Sequence, residues 1–222
     1  MMNGTPGSQS VLRIPRPLLT VLGGLWVVGV GFGLRSMWIY ENRPGSPAQP
    51  PKQSPSSFHS AGRHSRPTLL VIAHPRCPCT AATIEELARV VNSAPDGLDA
   101  RVYFYEPADA SAAWRQTGLW RTASSIPGVQ VLPDVEGRTA HTLGAATSGQ
   151  ALLYGGNGRL LFSGGLTDSR GHSGESIGGR AILSLLSKPQ LDRVTTAVYG
   201  CSLIAPDGST SMRVIERSGI AP

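Results

Sequence analysis

The stretch from Thr68 to Val91 constrains the fold of this chain more than any other part of its sequence. A short apolar run, Thr68 to Ala73, precedes Cys77-Pro78-Cys79, and a helix-like stretch from Thr80 to Val91 follows. A run of this length suits a central strand covered on both faces. A helix N-terminus lowers the pKa of a nearby thiol, and the thiolate is the reactive form. The order strand, paired cysteines, helix is therefore typical of a redox-active thiol pair.

The single residue between the two cysteines limits their arrangement. Residues i and i+2 of a helix point to different sides, so both cysteines cannot be helical and bonded together without distortion. Proline is favoured at the first helical position, so Pro78 predicts Cys77 as the N-cap. We expect Cys77 to be the more exposed and more acidic, attacking thiol, with a hydrogen bond from the first turn to its sulfur. Cys79 is the expected resolving thiol.

An uncharged, mostly apolar run of 18 residues, 17–34, lies near the N-terminus. About 20 such residues cross a bilayer as a helix. Apolar residues 37–40 continue the run beyond Arg35, so the sequence predicts a transmembrane anchor over residues 17–40. A cleaved signal peptide is an alternative, although no Ala-x-Ala pattern follows the run. A buried helix is a further alternative, which five glycines between positions 23 and 33 disfavour.

The charges around the run predict its orientation. Arg13 and Arg16 precede the run and no acidic residue does, so we expect a cytoplasmic N-terminus over residues 1–16. The protein would then be single-pass in the cell inner membrane, with its soluble domain facing the periplasm or the cell exterior. Disulfides persist in those compartments.

The basic excess of the chain belongs to its N-terminal part. Residues 1–66 hold seven of the 20 Lys and Arg residues and one of the 14 acidic residues, which leaves 13 of each sign in residues 67–222. A neutral domain has no electrostatic footprint for phosphates, so we expect no nucleic-acid partner. We also expect no cofactor.

Composition divides the rest of the chain. Residues 41–66 contain five of the 18 prolines among Ser, Gln, Gly and Lys, and such a stretch predicts a disordered, extended linker. Residues 67–204 have the size of one domain, and residues 205–222 are expected to form a loosely ordered tail.

Within the domain, hydrophobic patterns predict alternating elements in the order β-α-β-α-β-β-α. After the first strand and helix we expect a strand at 101–105, a helix near Ser111 capped by Asp109 with Trp114 inside, a hairpin of strands 149–154 and 159–163, and a last helix around 181–186. This order predicts an α/β sandwich with a central mixed sheet.

These elements resemble the thioredoxin-like superfamily over about residues 68 to 190. The resemblance depends on the cysteine pair that opens the first helix, on the segment 134–145 that leads into the hairpin, and on the hairpin 151–162. Cys77-Pro78-Cys79, together with Thr147-Ser148-Gly149 and the segment 169–172, also resembles a small bacterial group sometimes labelled RedB-like. The resemblance implies thiol–disulfide exchange with protein thiols or disulfides.

Two positions depart from the superfamily pattern. Typical members have Cys-x-x-Cys, and this chain is one residue shorter. They also have a cis-proline before the third strand, which shapes the groove for the substrate backbone, whereas this chain has Ser148-Gly149.

Other functions compete with redox exchange at Cys77 and Cys79. Closely spaced thiolates suit Cu(I), so a copper-binding or copper-delivery protein is one alternative. A domain that binds partners without turnover, with unreactive or statically bridged cysteines, is another. Peroxide reduction is disfavoured because position 74, three before Cys77, is His rather than Thr.

Four further residues are candidates for the site. Arg170 and His172 lie in a glycine-rich loop that could cover the cysteines, and His74 precedes them by three residues; ordinary loop or buried positions are the alternatives. Cys201 follows the last predicted helix. It is either a third redox partner or a small buried apolar residue.

Overall fold

The computed structural model describes residues 15–58, 66–94 and 97–203. The chain divides into two units, Met1–Tyr40 and Glu41–Pro222. One continuous helix, α1 (Arg16–Glu41), covers the predicted anchor, and its length and apolar composition suffice to cross a membrane. Most of the predicted cytoplasmic N-terminus, residues 1–14, and the predicted tail, residues 205–222, lie outside the described residues.

The described part of the second unit alternates strands and helices. Its strands are β1 (Thr68–Ala73), β2 (Asp99–Glu106), β3 (Val129–Val135), β4 (Gln150–Tyr154), β5 (Leu160–Gly165) and β6 (Val194–Thr195). Its α-helices are α2 (Pro78–Ser93), α3 (Gly118–Ser124), α4 (Arg138–Thr142) and α5 (Ile177–Ser187). Two short 3-10 helices occupy Ser56–Phe58 and Ala112–Gln116.

The six strands form one mixed sheet in the order β3-β2-β1-β4-β5-β6. Strand β1 pairs in parallel with β2 and antiparallel with β4, and β4 and β5 form the predicted hairpin. This is the α/β sandwich with a central mixed sheet that the sequence predicts. The end of β1 and the start of β4 lie side by side, because Ile72 pairs with Gln150. The segment that follows β1 and the segment that precedes β4 therefore meet at the same end of these two central strands.

The two faces of the sheet are covered differently. Leu69 and Val71 of β1 belong to a hydrophobic cluster that also contains residues of α2, α3 and α5; we call this side the helical face. Leu70 and Ile72 belong to a second cluster that contains Tyr103, Tyr105 and Trp114, which we call the aromatic face. Strand side chains alternate between the two sides of a sheet, so β1 supplies both clusters.

The predicted linker, residues 41–66, does not remain separate over its first part. Gly45 N–H donates to Val198 O at 2.8 Å, and Gln49 N–H donates to Gly144 O at 3.0 Å. Phe58 is buried in the aromatic face. Prolines keep this stretch extended without forbidding contacts, so an extended segment fills the side of the sheet that the longer helices leave open. Residues 59–65 lie outside the described part of the chain.

Several elements differ from the sequence predictions. The helix expected near Ser111 is the 3-10 helix Ala112–Gln116, and Ser111, not Asp109, occupies its N-cap position; Trp114 is buried as expected. Helix α3 and strands β3 and β6 were not predicted. Strand β3 contains Pro133, which lacks a backbone donor and is therefore typical of an edge strand, and β3 is an edge of this sheet.

Candidate functional site

The start of α2 presents the first two cysteines, as the sequence predicts. Cys77 is the N-cap with an extended backbone (φ −82°, ψ 118°), Pro78 follows at the first helical position, and Cys79 lies in the first turn. The Cys77 N–H donates to His74 O at 3.2 Å, and the Thr80 N–H donates to Cys77 O at 3.0 Å. We call residues 74–80 the helix-start segment. The Cys77 sulfur accepts no capping hydrogen bond of regular geometry, but the backbone N–H and hydroxyl of Thr80 are close enough to help lower the pKa of Cys77.

The third cysteine lies beside the first. The sulfur of Cys201 is 3.1 Å from the sulfur of Cys77, although 124 positions separate them in the chain. Cys201 is therefore at the site rather than in the hydrophobic core. All three cysteines are free thiols.

Cys201 belongs to an irregular segment, residues 196–203, which we call the C-terminal strap. Gly165 N–H donates to Ala197 O at 3.1 Å, at one end of the strap. At the other end, Leu203 N–H donates to Ala146 O at 2.8 Å, and Leu203 is buried in the aromatic face. Between these points, Ser202 forms an antiparallel bridge with Thr147. The strap thus runs beside the loop that precedes β4.

The exposure of the thiols contradicts one expectation. Cys77 is only 2% exposed, whereas Cys79 and Cys201 are partly exposed. Cys77 was expected to be the more exposed member of the Cys-Pro-Cys pair. It is buried because its sulfur faces Cys201 of the strap instead of solvent.

The environment separates the acidities of the three thiols. The pKa of Cys77 is lowered, because the Cys201 thiol can donate a hydrogen bond to its thiolate, and this effect outweighs burial. The pKa of Cys201 is raised as the donor of the same pair, and burial adds to this rise. Burial, and then the charge of Cys77, raises the pKa of Cys79. The expectation that Cys77 is more acidic than Cys79 agrees with these directions, although Cys201 supplies the largest cause.

His74, three residues before Cys77, has a buried side chain. It is 8% exposed and stacks on Tyr105, with ring centroids 5.8 Å apart. Its Nδ1 accepts the Arg76 N–H at 3.2 Å. Burial lowers the pKa of His74 from 6.5 to about 4. His74 therefore packs and orients the helix-start segment as an uncharged side chain near pH 7.

The place of the expected cis-proline is taken by a serine hydroxyl. Ser148 Oγ accepts the His74 N–H at 2.9 Å and shares a hydrogen bond with Thr80 Oγ1, also at 2.9 Å. The Ser148 N–H donates to Cys201 O at 2.8 Å. Gly149 follows with φ at +92°, a conformation that favours glycine. No peptide bond among residues 15–58, 66–94 and 97–203 is cis. Ser148 thus connects the helix-start segment to the strap.

The two loop candidates lie in different places. Arg170 Nη1 donates to Gly200 O of the strap at 2.7 Å. Arg170 also partly opposes the rise in the pKa of Cys79, by a hydrogen bond and by its charge, and that of Cys201, by its charge. His172 is exposed, and its backbone N–H donates to Ser169 O at 3.5 Å. The structure therefore brings His74 and Arg170, but not the side chain of His172, to the cysteines. The part of the chain that the structure describes shows no cluster of three or more His, Cys, Asp or Glu arranged as a metal site.

Arg76 and Trp114 form the outer wall of the helix-start segment. The Arg76 guanidinium lies 4.2 Å from the Trp114 ring centroid, and Trp114 Nε1–H donates to Tyr105 O at 2.7 Å. The sequence did not predict that Trp114 packs against this segment. It also did not predict that Ser148 connects the segment to the strap. A serine where a proline is usual was the available signal for Ser148.

Comparison with known proteins finds similar chains at low sequence identity. No protein-family model and no curated protein matches the chain. An uncharacterized conserved protein from Geobacillus kaustophilus is 19% identical with a TM-score of 0.53, over 72% of this chain and 91% of that one. A hypothetical protein from Sinorhizobium meliloti is 21% identical with a TM-score of 0.49, over 72% and 93%. A secreted Mycobacterium tuberculosis disulfide oxidoreductase, homologous to Escherichia coli DsbE, is 14% identical with a TM-score of 0.41, over 61% and 92%.

Proposed function

We propose that this domain performs thiol–disulfide exchange with protein thiols or disulfides and is tethered to a membrane by α1. The proposal depends chiefly on one observation: the sulfur of Cys77, at the N-cap of α2, lies 3.1 Å from a second sulfur. Exchange requires a thiolate to attack one sulfur of a disulfide while the other sulfur leaves. A low-pKa thiol beside a second thiol can supply both the attack and the release.

The surroundings of Cys77 support this chemistry. Hydrogen bonds from Cys201 and from Thr80 favour negative charge on the Cys77 sulfur, and Arg170 favours it on the Cys79 sulfur. His74, with its pKa lowered to about 4, is neutral near pH 7, so the low pKa of Cys77 does not depend on a histidine cation. The narrower resemblance to the RedB-like group remains a prediction.

Two exchange assays test the proposal with the full-length protein in detergent micelles. One follows reduction of insulin disulfides with dithiothreitol as the donor, and the other follows oxidation of a dithiol peptide by the oxidised protein. We expect the wild type to accelerate at least one reaction and Cys77→Ser to abolish that acceleration. His172→Asn, a change of an exposed side chain, should keep the wild-type rate. A wild-type protein no faster than the reagents alone in both assays would refute the proposal.

Cu(I) binding is the second candidate, because the sulfurs of Cys77 and Cys201 lie 3.1 Å apart and thiolates are soft ligands that suit Cu(I). Titration of the reduced protein with Cu(I), in competition with bicinchoninate, tests it. A tight one-to-one complex that Cys77→Ser weakens, without exchange activity, would favour copper handling over exchange. Inactivity in all these assays would leave a non-catalytic interaction domain.

The membrane location and orientation are part of the proposal. Helix α1 is apolar enough to span a bilayer, Arg13 precedes it, and Arg16 is its first residue. We expect the full chain in the inner-membrane fraction, with the domain cleaved by protease added to spheroplasts. A domain protected until the membrane is lysed would reverse the orientation. Release of the domain without α1 would instead indicate a cleaved signal peptide.

A further inference from the structure

We infer that Cys201 is the disulfide partner of Cys77, and that the C-terminal strap must leave its place before a partner protein can reach Cys77. This inference rests on the proposed exchange function and assigns the resolving role to Cys201 instead of Cys79. It also makes the strap a gate to the site. Three independent observations carry it: the sulfur positions, the main-chain pairing of the strap, and the burial of Cys77.

The sulfur positions favour the distant pair over the neighbouring pair. A disulfide bond is about 2.0 Å long, so the Cys77 and Cys201 sulfurs, 3.1 Å apart, need an approach of about 1 Å. Cys77 is the N-cap and Cys79 is two residues further, within the first turn. The Cys77 and Cys79 thiols also interact, but a bond between residues i and i+2 closes a very short loop. A Cys77–Cys79 disulfide would therefore strain the first turn of α2.

The strap is held by its backbone on both sides of Cys201. The Cys201 carbonyl accepts the Ser148 N–H at 2.8 Å, and the Gly200 carbonyl accepts Arg170 Nη1 at 2.7 Å. A Cβ atom at Gly200 would overlap the Ser148 carbonyl oxygen, so only glycine permits this approach. The thiol of Cys201 is thus presented to Cys77 by main-chain contacts and not by a flexible tail.

The exchange step balances with these residues and a partner disulfide. The Cys77 thiolate attacks one sulfur of the partner disulfide, and the other partner sulfur leaves as a thiolate that takes up a proton. Cys201 then loses its proton and attacks the Cys77 sulfur, which breaks the mixed disulfide and releases the second partner thiolate. The domain loses two electrons and the partner disulfide gains them. The reverse sequence oxidises a partner dithiol.

The burial of Cys77 makes strap opening part of this sequence. Cys77 is 2% exposed while the strap is in place, so a partner disulfide cannot approach its sulfur. Opening breaks the Ser148–Cys201 and Arg170–Gly200 hydrogen bonds and exposes Cys77. Closing then returns Cys201 as an intramolecular thiol, at high effective concentration, to resolve the mixed disulfide.

Peptide mapping of the oxidised full-length protein tests the pairing. The protein is oxidised with diamide, blocked with N-ethylmaleimide and digested with trypsin without reduction. Trypsin leaves Cys77 and Cys79 in peptide 77–89 and Cys201 in peptide 194–213. We expect these two peptides to be joined in the wild type and in Cys79→Ser, and separate in Cys77→Ser. Peptide 77–89 lighter by two hydrogens, with Cys201 alkylated, would overturn the assignment.

The gate is tested by the reactivity of Cys77 in the reduced protein. Gly200→Ala should raise its alkylation rate by iodoacetamide about tenfold, because a backbone clash favours local opening of the strap. Gly118→Ala is the matched control, since a Cβ there meets no atom within 4 Å. An unchanged rate in a folded Gly200→Ala protein would refute the gate.

The two levels of the proposal fail differently. Exchange activity combined with a Cys77–Cys79 bridge would refute the role of Cys201 and leave the exchange function standing. A Cys77–Cys201 bridge that forms in a protein inert in both exchange assays would be a static disulfide. That result would refute the exchange function while supporting the pairing.

Discussion

The helix-start segment and the C-terminal strap supply the two facing sulfurs of the site in different ways. Neighbouring residues determine the position of Cys77: a strand ends, a proline occupies the first helical position, and the N-cap precedes it. Cys201 has no regular element around it, and its position depends on hydrogen bonds to Ser148 and Arg170, which are distant in sequence. The comparison teaches that the attacking thiol is specified locally, whereas its partner is specified by tertiary packing.

Replacing each cysteine gives the largest test of this comparison. Cys77→Ser should lower the exchange rate at least about 100-fold, because a serine hydroxyl is not ionised near neutral pH and cannot replace the thiolate. Cys79→Ser should keep the rate within about threefold, since in our assignment Cys79 neither attacks nor resolves. Stopped-flow measurement of both variants in the exchange assay that the wild type supports checks this.

Cys201→Ser completes the set. It should still attack a partner disulfide but accumulate the mixed disulfide, visible as a mass increase in the unreduced protein. Accumulation of the mixed disulfide in Cys79→Ser instead would show that Cys77 and Cys79 perform the whole reaction. The strap would then supply no reacting sulfur.

The helix-start segment, with Cys77 at the N-cap of α2, could be predicted from the sequence. Most of the fold could be predicted as well. Strand β1, helix α2 and the β4–β5 hairpin have clear hydrophobic periods and turn signals, so their pattern determines them. Strand β3 escaped prediction because Pro133 interrupts a strand pattern and is tolerated only at an edge. An edge position is a property of the assembled sheet and not of the segment.

The strap and the segment 42–58 could not be predicted for a related reason. Both cover the sheet as irregular chain, through backbone hydrogen bonds such as Gly45 to Val198, which leave no periodic pattern in either partner. The proline-rich composition of the first segment indicated an extended conformation but not the surface against which it lies. The position of Cys201 follows from the strap, so the sequence left its two interpretations open.

The pH dependence of stability tests the helix-start segment alone. The pKa of His74 is about 4 in the folded protein, against 6.5 for a histidine in the unfolded chain. Above pH 6.5 both states are neutral, and the pKa difference has no effect. As the pH falls from 6.5 to 4, the unfolded chain binds a proton that the folded protein excludes, so stability declines by up to about 3 kcal/mol. Below pH 4 this loss is complete.

Thermal unfolding followed by near-ultraviolet circular dichroism from pH 7 to pH 4 measures this slope. His74→Asn retains an acceptor for the Arg76 N–H and should remove most of the slope, whereas His172→Asn should leave it as in the wild type. An equal slope in wild type and His74→Asn would show that His74 is not held neutral in the folded protein and does not cause the pH dependence of stability.

Ser148→Ala tests the connection between the two segments. The Ser148 hydroxyl is buried and accepts the His74 N–H, so its removal leaves a buried donor without this partner. We expect a loss of about 1–3 kcal/mol in the free energy of unfolding. Ser125→Ala, which removes an exposed hydroxyl bonded to Thr122 O, should change it by less than about 0.5 kcal/mol. Ser148→Ala keeps the backbone bond from Ser148 N–H to Cys201 O, so equal losses in a denaturant titration would mean that the hydroxyl does not hold the helix-start segment.

Arg170→Ala gives the smallest expected effect and separates charge from position. In a Cys77→Ser, Cys201→Ser background, Cys79 is the single thiol of the chain. Arg170 opposes the rise in the pKa of Cys79 by a hydrogen bond and by its charge, so its removal should slow alkylation of Cys79 at pH 8 about threefold. The difference should be smaller at high salt if the charge dominates, because partly exposed charges are screened. Arg180→Ala removes an α5 side chain from an exposed ion pair with Glu175 and should leave the rate unchanged. A threefold slowing that persists in molar salt would instead mean that Arg170 acts by position, through its hydrogen bonds to Cys79 and to Gly200 of the strap, and not by charge.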